Sequence, residues 1–179
     1  MLFVYFALIL KQNYFKVAIQ KLVLDTLEDD TYELIAIHCS LAPYRLAFLL
    51  NKYLNLKLFR KKEDINFKYD DLLASFPLYQ YDDHFQYSSY TLIGNKFSAQ
   101  VQQEEPIAKG LFDIPTNTYV IKYLIPELKN VDYFLKIDTE TSTFSSSALL
   151  TDILTISQVM TAYTVEYPTL KSKNNLIFE

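Results

Sequence analysis

The chain carries one cysteine, Cys39, and two histidines, His38 and His84. A thiolate activated by a neighbouring imidazole is the simplest nucleophilic site that such a set could make. His38 and Cys39 are adjacent in a run of strand character, so their side chains leave opposite faces and cannot pair with each other. Cys39 would have to meet His84 from a distant turn, and a lone free cysteine is more often a small buried core residue. One cysteine and two histidines also fall short of the usual zinc ligand sets, and a single cysteine makes no internal disulfide. The two glycines, Gly94 and Gly110, lie too far apart for a dinucleotide fingerprint or a phosphate-binding P-loop. No cofactor and no metal are therefore expected.

Acidic and basic clusters remain. Asp82, Asp83 and His84 offer two carboxylates and an imidazole to a hard cation, but nothing near them completes a coordination set, and Asp is a common turn former. Asp25, Glu28, Asp29 and Asp30 receive the same reading, a solvated hairpin loop. Glu127 and Asp132 could present a paired acidic site to a basic partner or a metal, and with Asp138 they would supply the carboxylates of a hydrolase. Lys57, Arg60, Lys61 and Lys62, followed by Phe67 and Tyr69, could bind single-stranded RNA through charge and stacking. Glu63, Asp64, Asp70 and Asp71 dilute that field, and a formal charge of −4 lacks the basic excess of a dedicated nucleic-acid binder.

These side chains need a scaffold, and 179 residues, 50% of them hydrophobic, suffice for one domain with a core but not for two of typical size. The 15 Tyr and 13 Phe, with no Trp, favour strands with half-wet faces over an aliphatic helical bundle. Residues 32–39 have both faces apolar and predict an inner strand. Ser40 can cap a helix over 41–54 whose buried stripe is Ala42, Leu46, Leu49, Leu50 and Tyr53. A strand over 56–59 follows, then two long strands over 75–81 and 87–93 around the turn-like residues 82–84. Residues 97–115 read as a long surface loop or an irregular edge. Residues 119–125 and 131–138 alternate as strands, and the intervening PELKN makes an antiparallel hairpin the simplest topology. Ser145 to Ser147 offer caps for a second helix carrying Leu149, Ile153, Ile156 and Met160, and a strand over 162–167 is stopped by Pro168. Strands in runs with only two helices predict an α+β domain, a mainly antiparallel sheet with both helices packed on one face.

The opening MLFVYFALIL is shorter than the roughly 20 residues of a membrane span, and it lacks the positive start and cleavage residues of a secretory signal. Residues 1–16 are expected to be a mis-assigned start or a disordered extension, with translation beginning at Val17 and a single domain over 17–179. One free cysteine without a disulfide framework fits a reducing cytoplasm, and no membrane association is expected.

Residues 125–133 read IPELKNVDY. With LIAIH, YRLAFLLN, VDYFLKI and the terminal LKSKNNLIF, this stretch resembles the bacterial IPExxxVDY family at every fixed position: Ile125, Pro126, Glu127, Val131, Asp132 and Tyr133. The resemblance covers nearly all of residues 17–179 and omits 1–16. It implies no activity, cofactor or substrate. In physical terms Pro126 holds Ile125 extended and opens a tight turn, Glu127 can cap backbone N–H groups of that turn, and Val131 and Tyr133 re-enter the core on one face with Asp132 opposite. The expected function is a non-enzymatic protein-interaction or accessory role, with a partner protein or as a homodimer. Single-stranded RNA binding is the alternative, and a carboxylate-dependent hydrolase the third reading.

Overall fold

The computed structural model describes residues 32–69, 72–101, 118–139 and 144–177. The expectations for residues 1–16, for the domain start at Val17 and for Asp25, Glu28, Asp29 and Asp30 lie outside the described residues. In chain order the elements are β1 (Tyr32–His38), α1 (Pro43–Leu54), β2 (Phe59–Arg60), β3 (Ile65–Tyr69), β4 (Leu72–Phe76), β5 (Leu78–Asp83), β6 (Ser88–Gly94), β7 (Lys96–Val101), β8 (Thr118–Tyr123), β9 (Tyr133–Thr139), α2 (Ser146–Leu154) and β10 (Thr161–Val165).

The run YELIAIH of β1 is apolar on both faces and lies inside a six-stranded sheet of order β10-β1-β9-β6-β5-β2, as its pattern predicts. Every pairing in that sheet is antiparallel. Ile35, Ile37, Leu92, Leu135 and Ile137 form one face, against which α1 packs Leu46 and Leu50 and α2 packs Ile153. The α+β architecture with both helices on one face is thus present. On the other face, Leu34, Ala36, Ile93 and Phe134 are covered by Ala74, Phe76, Leu124, Ile125, Leu170 and Leu176. The antiparallel pairs β3–β4 and β7–β8 belong to this second layer, as do two short 3-10 turns, Tyr167–Thr169 and Lys173–Leu176.

Local chemistry decides where the elements begin. Helix α1 starts at Pro43, and the Ala42 carbonyl accepts from Arg45 N–H at 3.0 Å and Leu46 N–H at 3.1 Å with no side-chain cap. Ser40 is therefore not the cap; proline preset for the first helical position fixes the start instead. Ala47 joins Leu46 and Leu50 in the buried stripe, while Ala42 and Tyr53 face water. Ser145 does cap α2, accepting from Ala148 N–H at 3.3 Å. That helix ends at Leu154, so Ile156 reaches the core from the following turn and Met160 is exposed.

Several strand limits differ from expectation. The predicted strand 75–81 is cut by Pro77 into β4 and β5, which lie in different sheets, because proline cannot donate to a continuing ladder. The pairing of β5 continues to Asp83, which moves the turn to residues 84–87. Of the expected 56–59 region only Phe59 pairs, forming β2 together with Arg60. Residues 97–101, expected as a loop or an irregular edge, belong to strand β7, and 102–115 lie outside the described residues.

The largest difference concerns the IPELKNVDY segment. Strands β8 and β9 do not form a hairpin with each other: β8 pairs with β7, and β9 pairs with β6 and β1. The chain through β6 and β7 runs antiparallel to the chain through β8 and β9, with Gly94 opposite Tyr133 and Lys96 opposite Tyr123. Asn95 alone therefore faces the whole excursion of residues 124–132. Strand periodicity is identical for the two pairings, so alternation alone favours the shorter connection.

Candidate functional site

The excursion is closed by one amide. Asn95 is fully buried, and its side-chain N–H groups donate to the carbonyls of Leu128 at 2.8 Å and Val131 at 2.9 Å. Its side-chain oxygen accepts from Ile125 N–H at 2.9 Å. Its backbone is also satisfied, donating to the Asp132 carbonyl and accepting from Leu124 N–H, both at 2.9 Å. An amide is the natural group here, because donors and an acceptor must emerge from one small buried side chain. Pro126 opens a 3-10 turn, Pro126–Leu128, as the proline predicts.

Glu127 and Asp132 serve this corner in different places. Glu127 accepts from Ser172 N–H at 2.8 Å, which ties the turn to the C-terminal segment. Asn175 adds a donation to the Leu124 carbonyl at 2.8 Å. Slight burial raises the Glu127 carboxyl, but hydrogen bonds from its own backbone, from Ser172 and from Lys171 prevail and hold it below the ordinary value. Asp132 accepts from Cys39 N–H at 3.0 Å with one oxygen and pairs with Lys96 Nζ at 2.6 Å with the other. Each carboxylate has its own partners inside the chain.

Tyr133 donates its hydroxyl to the Leu41 carbonyl, and burial pushes its phenol well above the ordinary range, helped by Cys39 and Asp132. Val131 and Tyr133 do not share a face as expected, since β9 starts only at Tyr133. Val131 enters the layer beneath the sheet and Tyr133 the helix side.

The other sequence candidates are placed as follows. Cys39 follows the end of β1 that pairs beside Tyr133, whereas His84 lies in the turn where Asp83 pairs with Ser88 and Ser88 with Thr139, at the opposite end of the sheet. Their pairing as nucleophile and base is ruled out. Burial also pushes the Cys39 thiol up, a backbone hydrogen bond at Leu41 opposes this, and the Asp132 charge adds to it, so the thiolate is disfavoured. Asp138 lies six positions beyond Asp132 on an extended strand, about 20 Å at roughly 3.3 Å per residue, too far for the two to share a substrate bond. Asp83 accepts from Phe85 N–H at 2.9 Å and Gln86 N–H at 3.2 Å, the turn role of an Asp.

Lys57, Lys61 and Lys62 are exposed. Arg60 is engaged: it donates to the Lys61 carbonyl at 2.8 Å, pairs with Asp64 and lies over the Tyr79 ring at 5.6 Å. Phe67 packs edge-on against Phe76 at 6.2 Å, and the Tyr69 hydroxyl donates to the Tyr123 carbonyl at 3.2 Å. Both aromatics proposed for base stacking are thus used in packing.

Two features were not singled out from the sequence. The sheet face opposite the helices grades from the apolar row Ala36, Phe134, Ile93 and Leu78 to a polar row of Tyr32, Asp138, Ser89 and Asp82. Ser89 donates to Asp82 at 2.7 Å, Lys136 meets Asp138 at 3.0 Å, and Lys136 also lies over Tyr32 at 4.5 Å. The second feature is a cleft of about 690 Å³ between the end of α1, the β5–β6 turn and the start of α2, with Leu56, Tyr90, Phe144 and Leu149 inside and Asp83, Phe85 and Asp152 around it. Only register and tertiary packing assemble these groups, so no local pattern announces them.

Among the described residues no helix is long and apolar enough to cross a membrane, and no group of three or more His, Cys, Asp or Glu is placed to hold a metal ion. Compared with family models, curated proteins and solved structures, the chain gives no match.

Proposed function

We propose that the chain is a cytoplasmic, non-enzymatic protein-contact domain of the IPExxxVDY type. The observation that carries this reading is the outer row of α1. Tyr44 and Phe48, one turn apart, are 60% and 65% exposed, opposite the buried stripe of Leu46, Ala47 and Leu50. Aromatic side chains with Arg45 and Lys52 beside them have the composition of an interface core with a polar rim. The motif carboxylates support the same reading by being occupied within the fold. The buried free cysteine fits a reducing compartment. The RNA reading loses Arg60, Phe67 and Tyr69 to internal contacts.

Cross-linking in native lysate, with protein and RNA fractions both identified, tests the proposal. The parent is expected to capture protein and no RNA, and Tyr44→Ser with Phe48→Ser is expected to lose that capture while melting like the parent. Capture of RNA, or equal protein capture by the variant, would overturn it.

A further inference from the structure

The cleft and edge strand β2 are neighbouring surfaces of opposite character. Phe144, Leu149 and Phe85, the last 96% exposed, give apolar patches to a cleft whose exposed lining is mainly polar, and its charged lining residues are Asp83 and Asp152. Among the described residues no lysine, arginine or histidine lines it. The end of α1 and the start of α2 both reach it, and their opposite half-charges of about 0.5 offset each other, so the two carboxylates set the field. Leu56 and Leu58 are buried, and Lys57, Phe59, Arg60 and Lys61 are exposed. The two-residue period of a strand places Phe59, 55% exposed, between the ammonium groups of Lys57 and Lys61 along the sheet's edge.

We propose that these surfaces bind each other between two copies of the chain, the row Lys57, Phe59 and Lys61 of one copy occupying the cleft of the second, and reciprocally. The proposal rests on the protein-contact reading and names the partner. Phe59 has Phe85, Phe144 and Leu149 to pack against in a cleft whose volume of about 690 Å³ lies within the roughly 300–1,000 Å³ that ordinarily holds a ligand. The flanking lysines have Asp83 and Asp152 to meet. Leu56 belongs to the cleft and Phe59 follows three residues later, so a single two-fold axis between the two surfaces makes both contacts at once. Lysines on a two-residue edge strand disfavour pairing of backbones across the edge, which leaves the contact to side chains.

Charge reversal with mixing tests this directly. Lys57, Lys61 and Asp152 are exposed, so Lys57→Glu with Lys61→Glu as one variant, and Asp152→Lys as another, are expected to keep the parent's melting curve. By sedimentation velocity the full-length parent is expected to be a dimer that weakens with salt. Each variant alone sets like charges against each other and is expected to dissociate roughly tenfold or more readily. Mixed together, the unchanged lysine row of one variant meets the unchanged cleft of the other, and the introduced carboxylates meet the introduced ammonium group beside the remaining Asp83, so an equimolar mixture is expected to associate as a heterodimer more strongly than either variant associates with itself. A parent that stays monomeric at every concentration, variants that dimerise like the parent, or a mixture that fails to associate would each overturn the proposal. If any of these occurs while the Tyr44 and Phe48 face still captures a partner, self-association is wrong and the protein-contact reading stands.

Discussion

Asn95 is a polar residue at a position where the surrounding core is apolar, and its amide answers three backbone groups of the facing segment. Removing it leaves the Val131 carbonyl and the Ile125 N–H without these partners, while the Leu128 carbonyl still accepts from Val131 N–H at 3.1 Å, and each orphaned buried group is worth about 1–3 kcal/mol. Asn95→Ala is therefore expected to destabilise the fold by about 2 kcal/mol or more in urea denaturation, and a change below about 1 kcal/mol would mean that water replaces the amide. Asn95 followed Gly94 in a region read as the end of a strand and the start of a loop, so nothing local marked it. Other residues in and beside the segment that it holds were legible: Pro126 as a turn former, Glu127 as a backbone acceptor, and Tyr133 as core. Asp132 was read as opposite to the core, and in the structure its carboxylate secures the backbone that follows β1.

The elements were more legible than their pairings. Inner strand β1, the capped α2 and the alternating β8 and β9 follow from periodicity and caps. The separation of β8 from β9 does not, because a long-range ladder through β6 and β7 uses the same alternation as a local hairpin. At the C-terminal segment, the ring of Tyr167 stacks on Tyr32 at 3.9 Å. Burial, then Tyr167 and Asp138, push the Tyr32 phenol from the ordinary 10.0 up to about 12. A phenol raised in the folded state contributes stability that is fully present below its unfolded value and is lost as pH rises through the folded one. Stability is thus expected to fall between about pH 10 and pH 12, and Tyr32→Phe is expected to lessen that fall, as read by urea midpoints across the range. An unchanged alkaline slope in Tyr32→Phe would show that another group sets it.

For the whole molecule, composition and strand runs were enough to reach the α+β class with both helices on one face, since aromatic-rich alternation has few other packed solutions. The second layer was not legible, because its pieces are short and their registers depend on Pro77 and Asn95. The same corner decides how the IPELKNVDY segment is understood: its carboxylates hold the C-terminal segment and the residue after β1 to one point of the sheet. The urea midpoint of Glu127→Ala with Asp132→Ala tests this most directly. Loss of the acceptors for Ser172 and Cys39 and of the Lys96 pair is predicted to lower stability by about 2 kcal/mol or more, with an unchanged denaturant slope. A double variant that unfolds at the parent's midpoint would contradict a structural role for these carboxylates.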